Sequence, residues 1–156
     1  KNDFPVDLYN LCKHIAKILS LTNDYQAEAA IINFYRPGDT LSGHTDHSEP
    51  YKEAPLISLS FGQSCIFLLG GVSKDIKPTA IRINSGDICI LSKQARLCYH
   101  AVPLILETQE KPWEHDKSEN DEDSNIFTKE DLFINKIHIE TYDQLGDITF
   151  FKPFEE

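Results

Sequence analysis

Six short apolar runs, set apart by turn residues and mostly about ten positions from one to the next, constrain this chain more than any other feature. They are "AAIINFY" (29–35), "LISLSF" (56–61), "SCIFLL" (64–69), "TAIRI" (79–83), "DICILS" (87–92) and "RLCYHAV" (96–102). β-branched and aromatic residues fill them, and "RPGD", "GG" and "NSGD" stand between them as turn signals. Strands this short, at this spacing, favour a sandwich, barrel or jelly roll over a parallel sheet, whose strands would alternate with helices. One helix precedes them. In "VDLYNLCKHIAKIL" (6–19), Leu8, Leu11, Cys12, Ile15, Ile18 and Leu19 fall on one helical face, Pro5 suits the first turn, and His14 lies off the stripe. The expected fold is therefore mainly β, a jelly-roll-like core with a supporting N-terminal helix. Farther on, "FTKEDLF" reads as a helix start capped by Thr128, and "INKIHIETYD" fits either strand or helix.

The 156 residues suit a single domain, 1–156. No apolar run approaches the ~20 residues that span a bilayer, so no membrane association is expected. Four cysteines in apolar surroundings, with no CxxC pair, read as reduced buried thiols of an intracellular protein. The net charge of -10 argues against a nucleic-acid binder until its distribution is considered. Residues 107–131 hold ten acidic residues and three lysines, so seven of the net negative charges sit there and the remainder is nearly balanced. That segment reads as a solvated acidic insertion.

Chemistry concentrates in "GHTDHSE" (43–49). In an extended segment, residues two apart project to one side, so His44 and Asp46 can address a common metal while His47 faces away. The spacing alone is common by chance, and by itself a polar loop is much the commoner reading of it. His100, on the late strand run, is the best candidate for a third ligand. Two histidines and one carboxylate on one face leave coordination positions open, the arrangement of non-haem Fe(II) oxygenases. Asn33 and Tyr35 are also two apart, just upstream across the Pro37–Gly38 turn, and an amide and a phenol can hydrogen-bond a carboxylate.

Taken together, "INFYRPGDTLSGHTDHSE", "PLISLSFGQSCIFLLGG" and "SGDICILSKQARLCYHAVP" resemble the AlkB family of 2-oxoglutarate-dependent Fe(II) dioxygenases, and most of all the eukaryotic branch of the first AlkB homologue. The resemblance runs from about residue 3 to about residue 104. It implies a double-stranded β-helix, in agreement with the strand pattern, and the cofactors Fe(II) and 2-oxoglutarate with O₂ as co-substrate. By matching position it implies His44, Asp46 and His100 as iron ligands, Asn33 and Tyr35 as contacts to 2-oxoglutarate, and Arg96 on the substrate side of the pocket. It departs in one respect. The family closes its site with a late R-x-N-x-x-x-R strand whose first arginine binds 2-oxoglutarate, and the three arginines here, Arg36, Arg82 and Arg96, lie in no such strand. With Lys1 at the start and no methionine, the chain is expected to be a fragment lacking an N-terminal lid and that arginine strand, "ITFFKPFEE" resembling the lead into it.

The implied activity is oxidative demethylation of N-methylated bases in DNA or RNA, including tRNA, by hydroxylating a methyl group that then leaves as formaldehyde. A base inside a duplex is out of reach, so the substrate is single-stranded or flipped out. The expected protein is a monomer in nucleus, cytoplasm or mitochondrion. Three other readings stand beside this one: a metal-binding jelly-roll module of reduced activity, an oxygenase of protein side chains, and an abasic-site lyase using a lysine amine.

Overall fold

A computed structural model describes residues 3–107 and the backbone of 137–141 and 148–153. Helix α1 spans Val6–Ile18, with Asp7 in its first turn and Lys17 in its last, each favourable to the helix dipole. Pro5 precedes it and offers its carbonyl to Tyr9 N–H at 3.0 Å. Ser20, at φ 52°, reverses the chain, while Ser20 and Leu21 donate to the carbonyls of Lys17 and Ala16. Those two bonds satisfy carbonyls that the helix end leaves orphaned. Cys12, Ile15 and Ala16 form the buried face; His14 is exposed as expected, and Ile18 is exposed where burial was expected.

Among the described residues eight strands follow: β1 Leu41–His44, β2 Leu56–Leu59, β3 Cys65–Leu69, β4 Thr79–Ile83, β5 Ile88–Leu91, β6 His100–Ile105, β7 Ile137–Thr141 and β8 Ile148–Pro153. They form two antiparallel sheets ordered β1-β6-β3-β4 and β2-β5-β8-β7. Alternation assigns β5 a double duty. Cys89 and Leu91 join Phe67, Leu69, Ile81, Ile83, Val102 and Ile105 in the core between the sheets. Ile90 turns the other way and packs with Ile15 of the helix, flanked by Leu11, Leu19, Ile57, Leu59 and Ile88. The four cysteines are free, and burial pushes the Cys89 thiol up to about 12, so it stays protonated and fills core volume.

Two irregularities shape the first sheet. Ile66 pairs with Leu104 but Leu68 pairs with Ala101, so Phe67 faces two residues, Val102 and Pro103. Pro103 has no N–H to give a ladder, and the bulge accommodates it. Leu41 pairs with Val102 and His44 with His100, so β1 carries an extra residue at Ser42–Gly43.

The structure differs from the sequence reading at several points. "AAIINFY" forms no strand; Ile31, Ile32 and Phe34 are exposed, and only Tyr35 packs against the core. β propensity supplies side chains that suit a sheet, but a ladder also needs a neighbour with free backbone groups. The expected strand 96–102 is divided: Lys93–Leu97 is a 3₁₀ turn, held by Ala95 N–H to Ser92 O and Cys98 N–H to Ala95 O, and β6 begins only at His100. The undecided 137–141 is a strand. "FTKEDLF" and all of the acidic segment beyond Glu107 lie outside the described residues.

Ile90 is fully buried where helix and sheet meet. Ile90→Ala should therefore cost about 2–5 kcal/mol, read as a lower urea midpoint at unchanged m-value. A loss below ~1 kcal/mol would show that the helix is not packed on β5.

Candidate metal centre

The site begins with a turn. In "RPGD", Asp39 N–H donates to Arg36 O at 2.9 Å, the Asp39 carboxylate accepts Arg36 N–H at 2.7 Å, and Gly38 adopts φ 92°. Proline then glycine at the two central positions suits a type II turn, which needs positive φ at the second. The chain emerges into β1, antiparallel to β6. Residues 100 and 102 share one face of β6, so their partners His44 and Leu41 share the same face although they are three apart. Only the extra residue at Ser42–Gly43 makes that so. An unshifted ladder from Leu41 would have set His44 opposite Tyr99.

The imidazoles of His44 and His100 lie with centroids 4.4 Å apart, tilted by 55°. Asp46 stands between them, one carboxylate oxygen 3.6 Å from His44 Nε2 and the other 3.3 Å from His100 Nε2. Ligand atoms from all three lie within 4.8 Å of one another, and among the described residues no other group of three such side chains converges. Each ring has its other nitrogen on a backbone carbonyl: His44 Nδ1 is 2.9 Å from Ser42 O, and His100 Nδ1 is 3.2 Å from Cys98 O. A carbonyl only accepts, so the neutral ring puts its proton on Nδ1 and turns the Nε2 lone pair toward Asp46. Ligating histidines are oriented in this way in metal sites. Burial lowers the His100 pKa, opposed by Cys98 O and Asp46 and helped to a smaller degree by the neighbouring Arg96 charge. A neutral imidazole is the form that binds metal. Phe67 stacks beneath the ring at 5.7 Å.

The exposures are unequal. The His100 side chain is 9% exposed, against 37% for His44 and 32% for Asp46. The triad is thus closed on the core side and open on the other. Two neutral nitrogens and one carboxylate suit a divalent first-row metal, and ligand atoms at right angles on one such ion lie about 3 Å apart, close to the separations found.

The other expected residues are placed differently. His47 is exposed, its Nδ1 engaged by Thr45 O at 2.9 Å and Thr45 Oγ1 at 3.2 Å, outside the triad. Tyr35 is half-buried against the inter-sheet core, and burial followed by Cys65 raises its pKa, so its hydroxyl keeps its proton. Asn33 is exposed on the same irregular segment. Arg96 departs from expectation. It is 2% exposed, and three of its five N–H donors are engaged by the protein: Nε by Ala54 O at 2.9 Å, Nη1 by Asp46 O at 2.6 Å and Nη2 by Glu49 Oε2 at 3.2 Å. Its own backbone N–H, then Arg96, holds the Glu49 carboxyl below the usual range. Sequence reasoning missed Phe67 and this use of Arg96, because backbone carbonyl acceptors leave no trace in residue identity.

Comparison with known proteins agrees with the geometry. Residues 2–126 match the model of the 2OG-Fe(II) oxygenase superfamily. The chain is 48% identical over 103 residues to the tRNA demethylase abh1 of Schizosaccharomyces pombe, covering 66% of this chain and 34% of that protein. It is 49% identical over 107 residues to the human nucleic acid dioxygenase ALKBH1, covering 69% of this chain and 27% of that protein. To the alpha-ketoglutarate-dependent dioxygenase AlkB of Escherichia coli it is 35% identical over 98 residues, 63% of this chain and 45% of that protein. The chain thus spans less than half the length of each of these relatives. The converging His-Asp-His group, the paired antiparallel sheets and these matches lead to one conclusion: the chain belongs to the 2OG-Fe(II) oxygenase superfamily, among its AlkB homologues.

Proposed function

We propose that His44, Asp46 and His100 hold Fe(II), and that the protein carrying this chain removes methyl groups oxidatively from N-methylated bases of DNA or RNA. The observation that carries this reading is the triad, with both Nε2 atoms turned toward one carboxylate. The nucleic-acid substrate is supported by relatives named as a tRNA demethylase, a nucleic acid dioxygenase and a DNA N(6)-methyladenine demethylase. When bound, iron with 2-oxoglutarate and O₂ supplies the oxidant that hydroxylates the methyl group.

The chain's own residues orient and shield. His44 and His100 contribute neutral donors, each held in tautomer and ring plane by a backbone carbonyl. Asp46 brings the negative charge that offsets part of the metal's. Phe67 keeps water from the core side of His100, while the exposed side of His44 and Asp46 admits co-substrate and methylated base. Tyr35, protonated, donates a hydrogen bond to 2-oxoglutarate, with the Asn33 amide beside it on the chain. Arg96, buried on three acceptors of the protein itself, is not assigned as the cation opposite the distal carboxylate of 2-oxoglutarate. No transmembrane route is needed for such chemistry, and no helix among the described residues is long and apolar enough to cross a membrane.

The deciding assay supplies Fe(II), 2-oxoglutarate and a panel of methylated oligonucleotides and measures succinate and formaldehyde together. Equal yields of the two on at least one methylated oligonucleotide are expected, with single strands preferred over duplexes. Succinate without formaldehyde on every oligonucleotide would remove the nucleic-acid substrate and leave the oxygenase. His44→Ala and His100→Ala should each abolish both products and Fe(II) binding while leaving the circular dichroism spectrum native, whereas His47→Ala should retain both. Tyr35→Phe should raise the half-saturating 2-oxoglutarate concentration about tenfold or more, since a hydrogen bond to a charged group contributes roughly 1.5–3 kcal/mol. An unchanged value excludes Tyr35 from the co-substrate site.

A further inference from the structure

We propose that Arg96 is a positioning residue of the metal centre, locking the Asp46 carboxylate in place from the segment that delivers His100. The inference rests on the metal-site reading above and extends it. The histidines have a ladder to hold them, because His44 and His100 are a cross-strand pair. Asp46 has none. β1 ends at His44, and residues 45–48 carry no helix or strand. An exposed loop carboxylate would sample several rotamers and backbone positions, and each lost alternative costs entropy when metal binds.

Arg96 supplies the missing restraint. Its Nη1 donates to the Asp46 carbonyl at 2.6 Å, its Nη2 to Glu49 at 3.2 Å and its Nε to the Ala54 carbonyl at 2.9 Å. One planar group thereby ties the start, middle and end of the 46–54 loop to the 3₁₀ turn Lys93–Leu97, which leads into β6 and His100. The Tyr25 hydroxyl bonds the adjoining Pro55 carbonyl at 3.3 Å and braces the same end of the loop. At 2% exposure the guanidinium cannot exchange these acceptors for water without leaving its site. Three acceptors in three directions need a rigid fork of donors. A lysine ammonium is a point charge on a flexible stem and cannot span them.

Cobalt(II) titration of the full chain, followed by its visible d–d absorption, tests the role. Arg96→Met should weaken Co(II) binding about tenfold to a hundredfold, the usual consequence of removing a group that orients a ligand, and should change the absorption envelope. Arg96→Lys should recover only part of the affinity. Glu49→Gln, at a half-exposed position, should weaken it by a smaller factor. Where Asp46→Ala retains measurable Co(II) binding, adding Arg96→Met should change its affinity less than twofold, because the carboxylate it positions is gone. The proposal is overturned if Arg96→Met keeps native circular dichroism together with wild-type affinity and spectrum, or if its loss is undiminished in the Asp46→Ala background. Should Arg96→Met fail to fold, Arg96→Lys and Glu49→Gln decide: reduced affinity with native dichroism supports the role, and wild-type affinity in both overturns it. A wild-type chain that binds no Co(II) would overturn this inference and the metal-site reading together, whereas normal wild-type binding with unaffected variants overturns this inference alone.

Discussion

The register of β1 on β6 is the constraint on which the rest of the centre depends. It brings together His44 and His100, 56 positions apart in the chain, and it does so through one extra residue in β1. Because side chains alternate across a strand, a shift of one position moves every later residue to the other face. Without the bulge that absorbs this extra residue, His44 would oppose Tyr99 on the wrong face. A second bulge, where Phe67 faces Val102 and Pro103, lets β6 pair with β1 on one side and β3 on the other while both Val102 and Ile105 stay buried. The two bulges adjust the same strand from its two neighbours.

Burial and access pull against each other in such a site. A fully buried carboxylate between two imidazoles would lose its hydration before any metal replaced it, at a cost of several kcal/mol. The centre avoids this by sinking only one member. His100 lies in the core face, stacked on Phe67, where burial keeps it neutral; Asp46 and His44 remain partly in water. The gradient from core to solvent gives a rigid donor on one side and an approach path on the other.

The second sheet contributes stiffness. β5 is buried on both faces, with Cys89 and Leu91 toward the first sheet and Ile90 toward α1, so it clamps helix and sheets into one packed unit. The 3₁₀ turn that follows β5 is short and buries Ala95 and Arg96 before releasing the chain into His100. Its conformation follows from what it must bury.

By itself the sequence determined the elements whose signals are local. The amphipathic face of 6–19, the strand runs 56–61, 64–69, 79–83 and 87–92, and the "RPGD" turn were all legible, because periodicity and turn chemistry act within a few residues. The HxD pair was visible as a chemical oddity, with His100 as its partner by position in the strand order. Tertiary structure alone decided the rest. Ile31, Ile32 and Phe34 have strand-like side chains yet no ladder, since pairing depends on a neighbour elsewhere in the chain. The bulge at Ser42–Gly43 replaced simple alternation as the reason His44 faces inward. Arg96, expected at the substrate, is turned inward by two backbone carbonyls and Glu49. Carbonyls are common to every residue and carry no identity, so only the folded path of the chain could decide which of them that guanidinium would meet.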